Sequence, residues 1–398
     1  MKYWDKIEEV IYFLLDGIQY HLGLSTRKKL SYTKSKILYL GEYFPVRIRR
    51  IVDLIGETPQ LEKVLFISKW GFEPKLIGNN FDRIVIFRNK YQLKTLLRLE
   101  KNIQLIHAFE PKAYFQSMAN QGVDAPFLYD TQDILINYFY QNPPKKWQRV
   151  NLKYEKIILQ NADGFISQSL ELNEAFRLHN VKNKRSKRLF FPIYCDEKNF
   201  KEIDFNKSLQ NVSLVYIGGI NPINSHSSSN FLPFIESIQN NDVRLTIFPS
   251  PFSERECYQE YKQLEKKFPK FTMQKSVPFK DLDLTTYHFG IIPFNNEFSE
   301  RYFSKHKYAS TMKFFVYLEM GIPILMTNFW EFPAWLVKRY KLGLVISYDE
   351  LNRIDELIKT VNYHELLQNI KEFRDRFSIG TKREKIVAFY NLFLKDVI

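Results

Sequence analysis

The chain reads as an α/β protein built on parallel sheets in two domains, and three observations point there. Short apolar runs of strand length alternate with helical stretches, the series breaks at a polar stretch, and it then restarts. The third is size: 398 residues, 45% of them hydrophobic and including 35 Phe, 24 Tyr and 5 Trp, exceed what one ordinary domain and one core need.

Taken in order, residues Met1 to about Gly23 form an amphipathic pattern with Ile7, Val10, Ile11, Leu14, Leu15 and Ile18 on one stripe. Arg27, Lys28 and Lys29 follow it. The pattern suits a helix lying in a membrane interface, a helix packed on the first domain, or a dimer contact. Asp5, Glu8, Glu9 and Asp16 interrupt it, which does not suit a secretion signal. From Lys36 onward the apolar runs are Ile37 to Leu40, Lys63 to Ile67, Arg83 to Phe87, Leu105 to Ala108, Phe127 to Tyr129 and Gly164 to Ser167. After Phe191-Pro192-Ile193 a polar stretch reaches Asn211. The second series runs Val212 to Ile217, Arg244 to Phe248, Phe271 to Val277, Phe289 to Ile292, Ile324 to Met326 and Leu344 to Ile346. The chain therefore divides into residues 1–35, a helix and basic linker; 36–205, the first α/β domain; 206–375, the second; and 376–398, a terminal helix with Ile386, Phe389, Tyr390 and Phe393 on one face.

The formal net charge is +14, which suits nucleic acid, anionic lipid or a phosphate-bearing substrate and does not choose among them. No zinc-finger or RNP signature accompanies the charge, so nucleic acid is the weakest of the three. Cys195 and Cys257 lack metal-ligand spacing and make no disulfide framework, which fits a reducing compartment. No apolar run approaches 18 residues. We expect a cytoplasmic protein, with docking at the inner face of the plasma membrane as the alternative setting.

The most informative stretch runs from Thr311 to Met326. Phe314, Phe315, Leu318 and Met320 are spaced to bury one face of a short helix, and Gly321 can supply the left-handed residue that ends it. Pro323 then opens an apolar run, Ile324 to Met326, suited to a buried parallel strand. Lys313 sits at the start of that helix. A helix N-terminus gathers free N–H groups and positive potential, so a lysine beside it makes a seat for phosphate.

This segment resembles the P-x-K-x-x-E-Y-L-A-x-G-x-P-V signature of GT-B glycosyltransferases, the group that includes the retaining family 4 enzymes. Lys313, Tyr317, Leu318, Gly321 and Pro323 match it. The glutamates of the family's paired motif fall on Tyr308 and Val316, so the resemblance is to a divergent relative, similar to bacterial capsule and exopolysaccharide sugar transferases. It implies two Rossmann-like domains with parallel sheets facing a central cleft, the first for an acceptor and the second for a nucleotide-sugar, with a C-terminal helix crossing back onto the first. Lys313 would contact the diphosphate, and Tyr317 would belong to the same nucleotide site.

Other segments resemble the family more weakly. Gln104 to Ala108 resembles its D-V-I-H-A-H strand, with Glu110 beyond the strand end as a candidate general base or sugar-hydroxyl acceptor and His107 reading as a satisfied core histidine. Tyr129 to Asp133 resembles Y-D-x-H-E/D with Gln132 at the histidine; a glutamine can bond a sugar hydroxyl but cannot exchange a proton near neutral pH. Asp130 and Asp133 either take a polar role or cap the next helix. Arg47, Arg49 and Arg50 either face the cleft or form a solvated helix face. Glu155 to Ser169 resembles a helix–strand unit in which Asp163 is structural and Ser169 could approach the acceptor. Val215 to Ile220 resembles the first strand and loop of the second domain, where Gly218 and Gly219 could cradle phosphate by their N–H groups. Phe289 to Phe294 leads into a loop whose Glu300 or Glu297 could replace the missing ribose ligand, as could Glu319.

The resemblance implies a sugar transferase for surface polysaccharide or glycoconjugate synthesis. Its nucleotide-sugar is a substrate, its acceptor is a glycan or lipid-linked saccharide, and no cofactor or metal is expected because no D-x-D motif stands in a matching position. A retaining outcome follows from family analogy only. The rival readings are a non-catalytic GT-B relative serving as a scaffold subunit and a sugar-nucleotide epimerase of the same architecture.

Overall fold

The computed structural model describes residues 34–56, 59–72, 77, 81–109, 122–132, 134–139, 146–225, 229–294, 305 and 307–394. The N-terminal stripe, Glu110, Asp133, Glu297 and Glu300 lie outside the described residues.

Seven parallel strands form the first sheet: β1 (Ser35–Tyr43), β2 (Leu61–Gly71), β3 (Arg83–Phe87), β4 (Ile103–Phe109), β5 (Phe127–Thr131), β6 (Gly164–Ser167) and β7 (Lys187–Phe190), in the order β3-β2-β1-β4-β5-β6-β7. Six more form the second: β8 (Val212–Gly218), β9 (Val243–Pro249), β10 (Phe271–Met273), β11 (Phe289–Ile292), β12 (Ile324–Thr327) and β13 (Gly343–Ile346), in the order β10-β9-β8-β11-β12-β13. Each order reverses once, between β1 and β4 and between β8 and β11. Open parallel sheets take ligands outside their carboxyl ends at such reversals.

Helices α1 (Val46–Ile55), α2 (Lys90–Leu99), α3 (Leu135–Phe139), α4 (Lys146–Asn161) and α5 (Glu171–Leu178) accompany the first sheet. Helices α6 (Leu232–Ser237), α7 (Pro251–Leu264), α8 (Met312–Glu319), α9 (Glu331–Tyr340), α10 (Ile354–Lys359) and α11 (Tyr363–Arg376) accompany the second, and α12 (Arg383–Leu394) ends the described chain. Local chemistry sets several of their starts. Asn89 accepts from the N–H groups of Tyr91 and Gln92 to open α2, and Ser250 accepts from Ser253 N–H with Pro251 at the first turn of α7.

Side-chain alternation along each strand divides the cores between the two faces of the sheets. Leu38 and Leu40 join Phe66, Phe127 and Phe165 on one face of the first sheet, while Ile37 and Tyr39 join Leu65 and Ile48 on the other. Ile386, Phe389 and Tyr390 of α12 belong to that second cluster, so the end of the chain packs into the first half beside α1 and β4. In the second sheet Leu214 and Tyr216 face one cluster, and Val215 faces the other together with Phe314, Phe315 and Leu318 of α8.

Two boundaries differ from the sequence reading. Strand β7 was not expected, since Lys187 and Arg188 point to solvent at a sheet edge and mask its pattern. Strand β10 stops at Met273 rather than running to Val277. No helix among the described residues is long and apolar enough to cross a membrane.

Candidate functional site

The second half places its site residues at the carboxyl ends of β8 and β11, beside the reversal in strand order. Gly218 ends β8, Phe294 follows β11, and Lys313 lies in the first turn of α8. Thr311 precedes that helix in extended backbone and makes no side-chain cap, which leaves the first-turn N–H groups for another acceptor. Gly218 has φ 114, which favours glycine, and a Cβ there would come 2.9 Å from Lys313 Cε and push the end of that side chain aside. The next residue, Gly219, gives its carbonyl to the Tyr216 hydroxyl at 2.7 Å. Ser253 braces the loop by accepting from Ile220 N–H at 3.0 Å and donating to Ile220 O at 2.9 Å.

Lys313 is half-buried, and its Nζ lies 5.2 Å from the Tyr216 ring centroid and 5.8 Å from that of Phe294. It has no acidic partner among the described residues, and burial pulls its ammonium down from 10.5 to about 8. A cation held between aromatic faces at an uncapped helix start is a seat for an anion. Tyr216 and Phe294 were not singled out from sequence, since an aromatic in or after a strand is indistinguishable there from core.

Three residues of the same helix, Val316, Tyr317 and Glu319, are buried. Tyr317 is fully buried; its hydroxyl accepts from Ile217 N–H at 3.2 Å and donates to Ile291 O at 3.1 Å, while its ring occupies the space a Cβ at Gly290 would need. It links β8 to β11, so the hydroxyl expected in the nucleotide site is committed to two backbone groups. Val316 is buried in the core. Glu319 is neither a ribose ligand nor an exposed acid: it is fully buried, with Oε1 2.9 Å from Arg50 Nη2.

In the first half, Gln132 follows β5 at its carboxyl end. Its carbonyl accepts from Gln168 Nε2 at 2.8 Å, whereas its own buried Nε2 has no hydrogen-bond partner among the described residues. Asp130, one turn of pleat earlier, is fully buried: Arg47 Nε lies 3.1 Å from Oδ1 and His107 Nε2 lies 3.6 Å from Oδ2. Burial alone would raise the Asp130 carboxyl, but Arg47 and His107 outweigh it and hold it below its ordinary value. His107 Nδ1 meets the Tyr390 hydroxyl of α12. His107 is thus a core histidine bonded through Nδ1, with Nε2 near Asp130 but without a hydrogen-bond partner among the described residues, and Asp130 is a core ion-pair partner.

The arginine stretch is corrected in the same way. Arg47 and Arg50 are buried in ion pairs, neither solvated nor turned to a ligand, and only Arg49 is exposed. Ser169 is buried and donates to Glu171 Oε2 at 2.8 Å, which removes it from the acceptor side. Glu155 accepts from the N–H groups of Leu135 and Ile136 at the start of α3 and from His179 at 2.8 Å, and Asp163 accepts from Phe127 N–H. Both are structural.

Comparison with known proteins bears on the fold. Residues 225–388 match the model of the Glucosyltransferase 3-like, C-terminal domain. No curated protein matches the chain by sequence. Among solved structures, Anabaena HepE in complex with UDP superposes with a TM-score of 0.67 at 13% identity, covering 90% of this chain and 100% of that one. A glycosyltransferase from Rickettsia africae gives 0.63 at 12% identity, covering 92% and 100%. WaaG, a glycosyltransferase involved in lipopolysaccharide biosynthesis, gives 0.58 at 12% identity, covering 90% and 99%. At such identities the superpositions speak for the fold, two parallel sheets of the GT-B type. The described chain thus has the two-sheet fold of GT-B glycosyltransferases, and its residues 225–388 are similar to a glucosyltransferase-like C-terminal domain.

Proposed function

We propose that the chain moves a sugar from a nucleotide-sugar donor to a glycan or lipid-linked saccharide in surface polysaccharide or glycoconjugate synthesis. The observation that carries this reading is Lys313, a cation with no acidic partner among the described residues, at a helix start without a side-chain cap and across from a glycine at φ 114 that leaves its path open. The UDP bound to HepE supports a nucleoside diphosphate as the occupant.

In this reading the diphosphate lies against Lys313, the first-turn N–H groups of α8 and the N–H of Gly219. As the bond from sugar to diphosphate breaks, negative charge grows on the leaving oxygen, and these groups hold it without needing a metal. Aromatic walls strengthen that interaction by keeping water from the ammonium. Gln132 serves as a hydrogen-bond donor to a sugar hydroxyl through its Nε2, which has no hydrogen-bond partner among the described residues. Glu110 and Glu300 keep their proposed places as base and ribose ligand. A retaining outcome is proposed on family analogy alone.

The test is release of nucleoside diphosphate from a panel of sugar nucleotides, with and without lipid-linked saccharide. Acceptor-stimulated release from one donor supports transfer; binding without release from any donor contradicts it. The net charge of +14 supports work at an anionic membrane face. Deleting residues 1–24 should then abolish binding to anionic vesicles and leave nucleotide affinity intact.

A further inference from the structure

Helix α8 carries the proposed diphosphate seat at one end and a buried carboxylate at the other. Lys313 and Glu319 are separated by about 9 Å along the helix axis, at roughly 1.5 Å per residue. Glu319 faces the first half of the molecule. Its Oε1 lies 2.9 Å from Arg50 Nη2 on α1 and accepts from Asp196 N–H at 2.8 Å, and its Oε2 accepts from Asn199 Nδ2 at 3.2 Å. Arg50, equally buried, donates through Nη1 to Tyr194 O at 2.7 Å and sits 3.6 Å from Asp196.

This contact lies where the chain crosses between the halves. Cys195 N–H donates to Phe377 O and Ile379 N–H donates to Cys195 O, so the outgoing connection and the returning one run side by side. Arg374 of α11 grips the same end of α8, donating through Nε to Leu318 O at 2.6 Å, through Nη2 to Glu319 O at 2.6 Å and through Nη1 to Lys201 O at 2.8 Å. The signature that this segment resembles has alanine where Glu319 stands.

We infer that Arg50 and Glu319 are positioning residues for sugar transfer: their buried ion pair sets where α8, and with it Lys313, stands relative to the first half. Burying two charges is costly, and a pair of this kind adds little stability over an apolar pair of similar volume. What it does add is register, because the carboxylate and guanidinium meet at 2.9 Å, with Nη1 bonded to Tyr194 O and the carboxylate to Asp196 N–H and Asn199, in one relative placement of α1, α8 and the connecting segment and are separated in others. The inference rests on the proposed site for its consequence in transfer, but not for its geometry.

The experiment uses Glu319→Gln, Arg50→Met and Arg50→Lys in the full chain. Spin labels on Tyr91→Cys and Lys359→Cys, both exposed, report the distance between the halves, since the native Cys195 and Cys257 are buried. The wild type should give one narrow distance distribution; Glu319→Gln and Arg50→Met should broaden or shift it, and Arg50→Lys should restore it. Titration with UDP should give affinities within about twofold of wild type for all three, while kcat for UDP release from UDP-glucose falls by about tenfold or more in Glu319→Gln and Arg50→Met at nearly unchanged KM. Unchanged distances and unchanged kcat in those two variants would overturn the inference, as would equal losses in Arg50→Lys and Arg50→Met. If a Glu319 variant does not fold, the two Arg50 variants decide the question. A wild type that binds none of UDP, GDP, ADP and dTDP and releases none of them from their common sugar conjugates refutes the proposed site, and the distance measurement still decides the pair.

Discussion

Replacing Lys313 by methionine should move stability and binding in opposite directions. The substitution keeps the volume between the Tyr216 and Phe294 rings and removes the charge. Among the described residues that charge has no acidic partner, and burial displaces its pKa from 10.5 to about 8. At 1.36 kcal/mol per tenfold change in proton affinity, the displacement sets a ceiling of about 3 kcal/mol on the cost of keeping the ammonium charged at pH 7. The side chain is only half-buried, and solvent screening lowers that figure; attraction to the two rings takes off about 1 kcal/mol more. The variant without ligand should therefore be more stable by about 1–2 kcal/mol, and melt about 2–6 °C higher, the range for a domain of this size. With UDP the sign reverses, since losing a hydrogen bond to a charged group weakens binding by about 1.5–3 kcal/mol, or roughly 10- to 150-fold. The pH dependence follows. Between about 8 and 10.5 the folded protein binds fewer protons at this position than the unfolded chain, so stability rises with pH across that window in wild type and not in the variant. Calorimetric melting with and without UDP measures both quantities. A variant that melts lower than wild type and binds UDP equally well would refute the reasoning.

Other substitutions probe the supports. Gly218→Ala places a Cβ against Lys313 Cε at φ 114 and should cost about 1–3 kcal/mol of stability, with weaker UDP binding; a change in neither contradicts the tight crossing. Tyr317→Phe strands the N–H of Ile217 and the carbonyl of Ile291, so urea unfolding should show a loss of about 1–3 kcal/mol while UDP affinity stays within about twofold. A large affinity loss would return Tyr317 to the binding set. Asp130→Asn leaves Arg47 buried without its carboxylate and should cost about 3–5 kcal/mol in the same assay. Because the Asp130 carboxyl is held below its ordinary 3.8, its contribution is fully present above that pH and is lost as pH falls through the folded value. Acid unfolding of wild type and variant should therefore converge at low pH.

Local pattern made the strands legible where both faces are buried. Ile37 to Leu40 and Ile324 to Met326 are apolar at every position because helices cover both sides of the sheets. The same logic hides β7, an edge strand whose charged residues look like loop. Lys313 could be found because helix start, cation and following glycine are close in sequence. The ion pairs could not, since Arg47 meets Asp130 and Arg50 meets Glu319 only after the sheet and the return of the chain have brought distant segments together. Nothing in a local window distinguishes such an arginine from a solvated one. Tyr317 shows the converse: it matched the signature, yet its hydroxyl is used up by two backbone groups, and a motif match alone does not report which way a side chain is committed.

The most direct test of the central claim is the thermal stability of the wild-type chain against UDP, GDP, ADP and dTDP and their common sugar conjugates. A nucleotide that occupies the Lys313 site at about 100 times its Kd should stabilise the folded chain by about 2.7 kcal/mol, and Lys313→Met should abolish most of that gain. Stabilisation by none of them, or stabilisation that survives the loss of Lys313, would contradict the account.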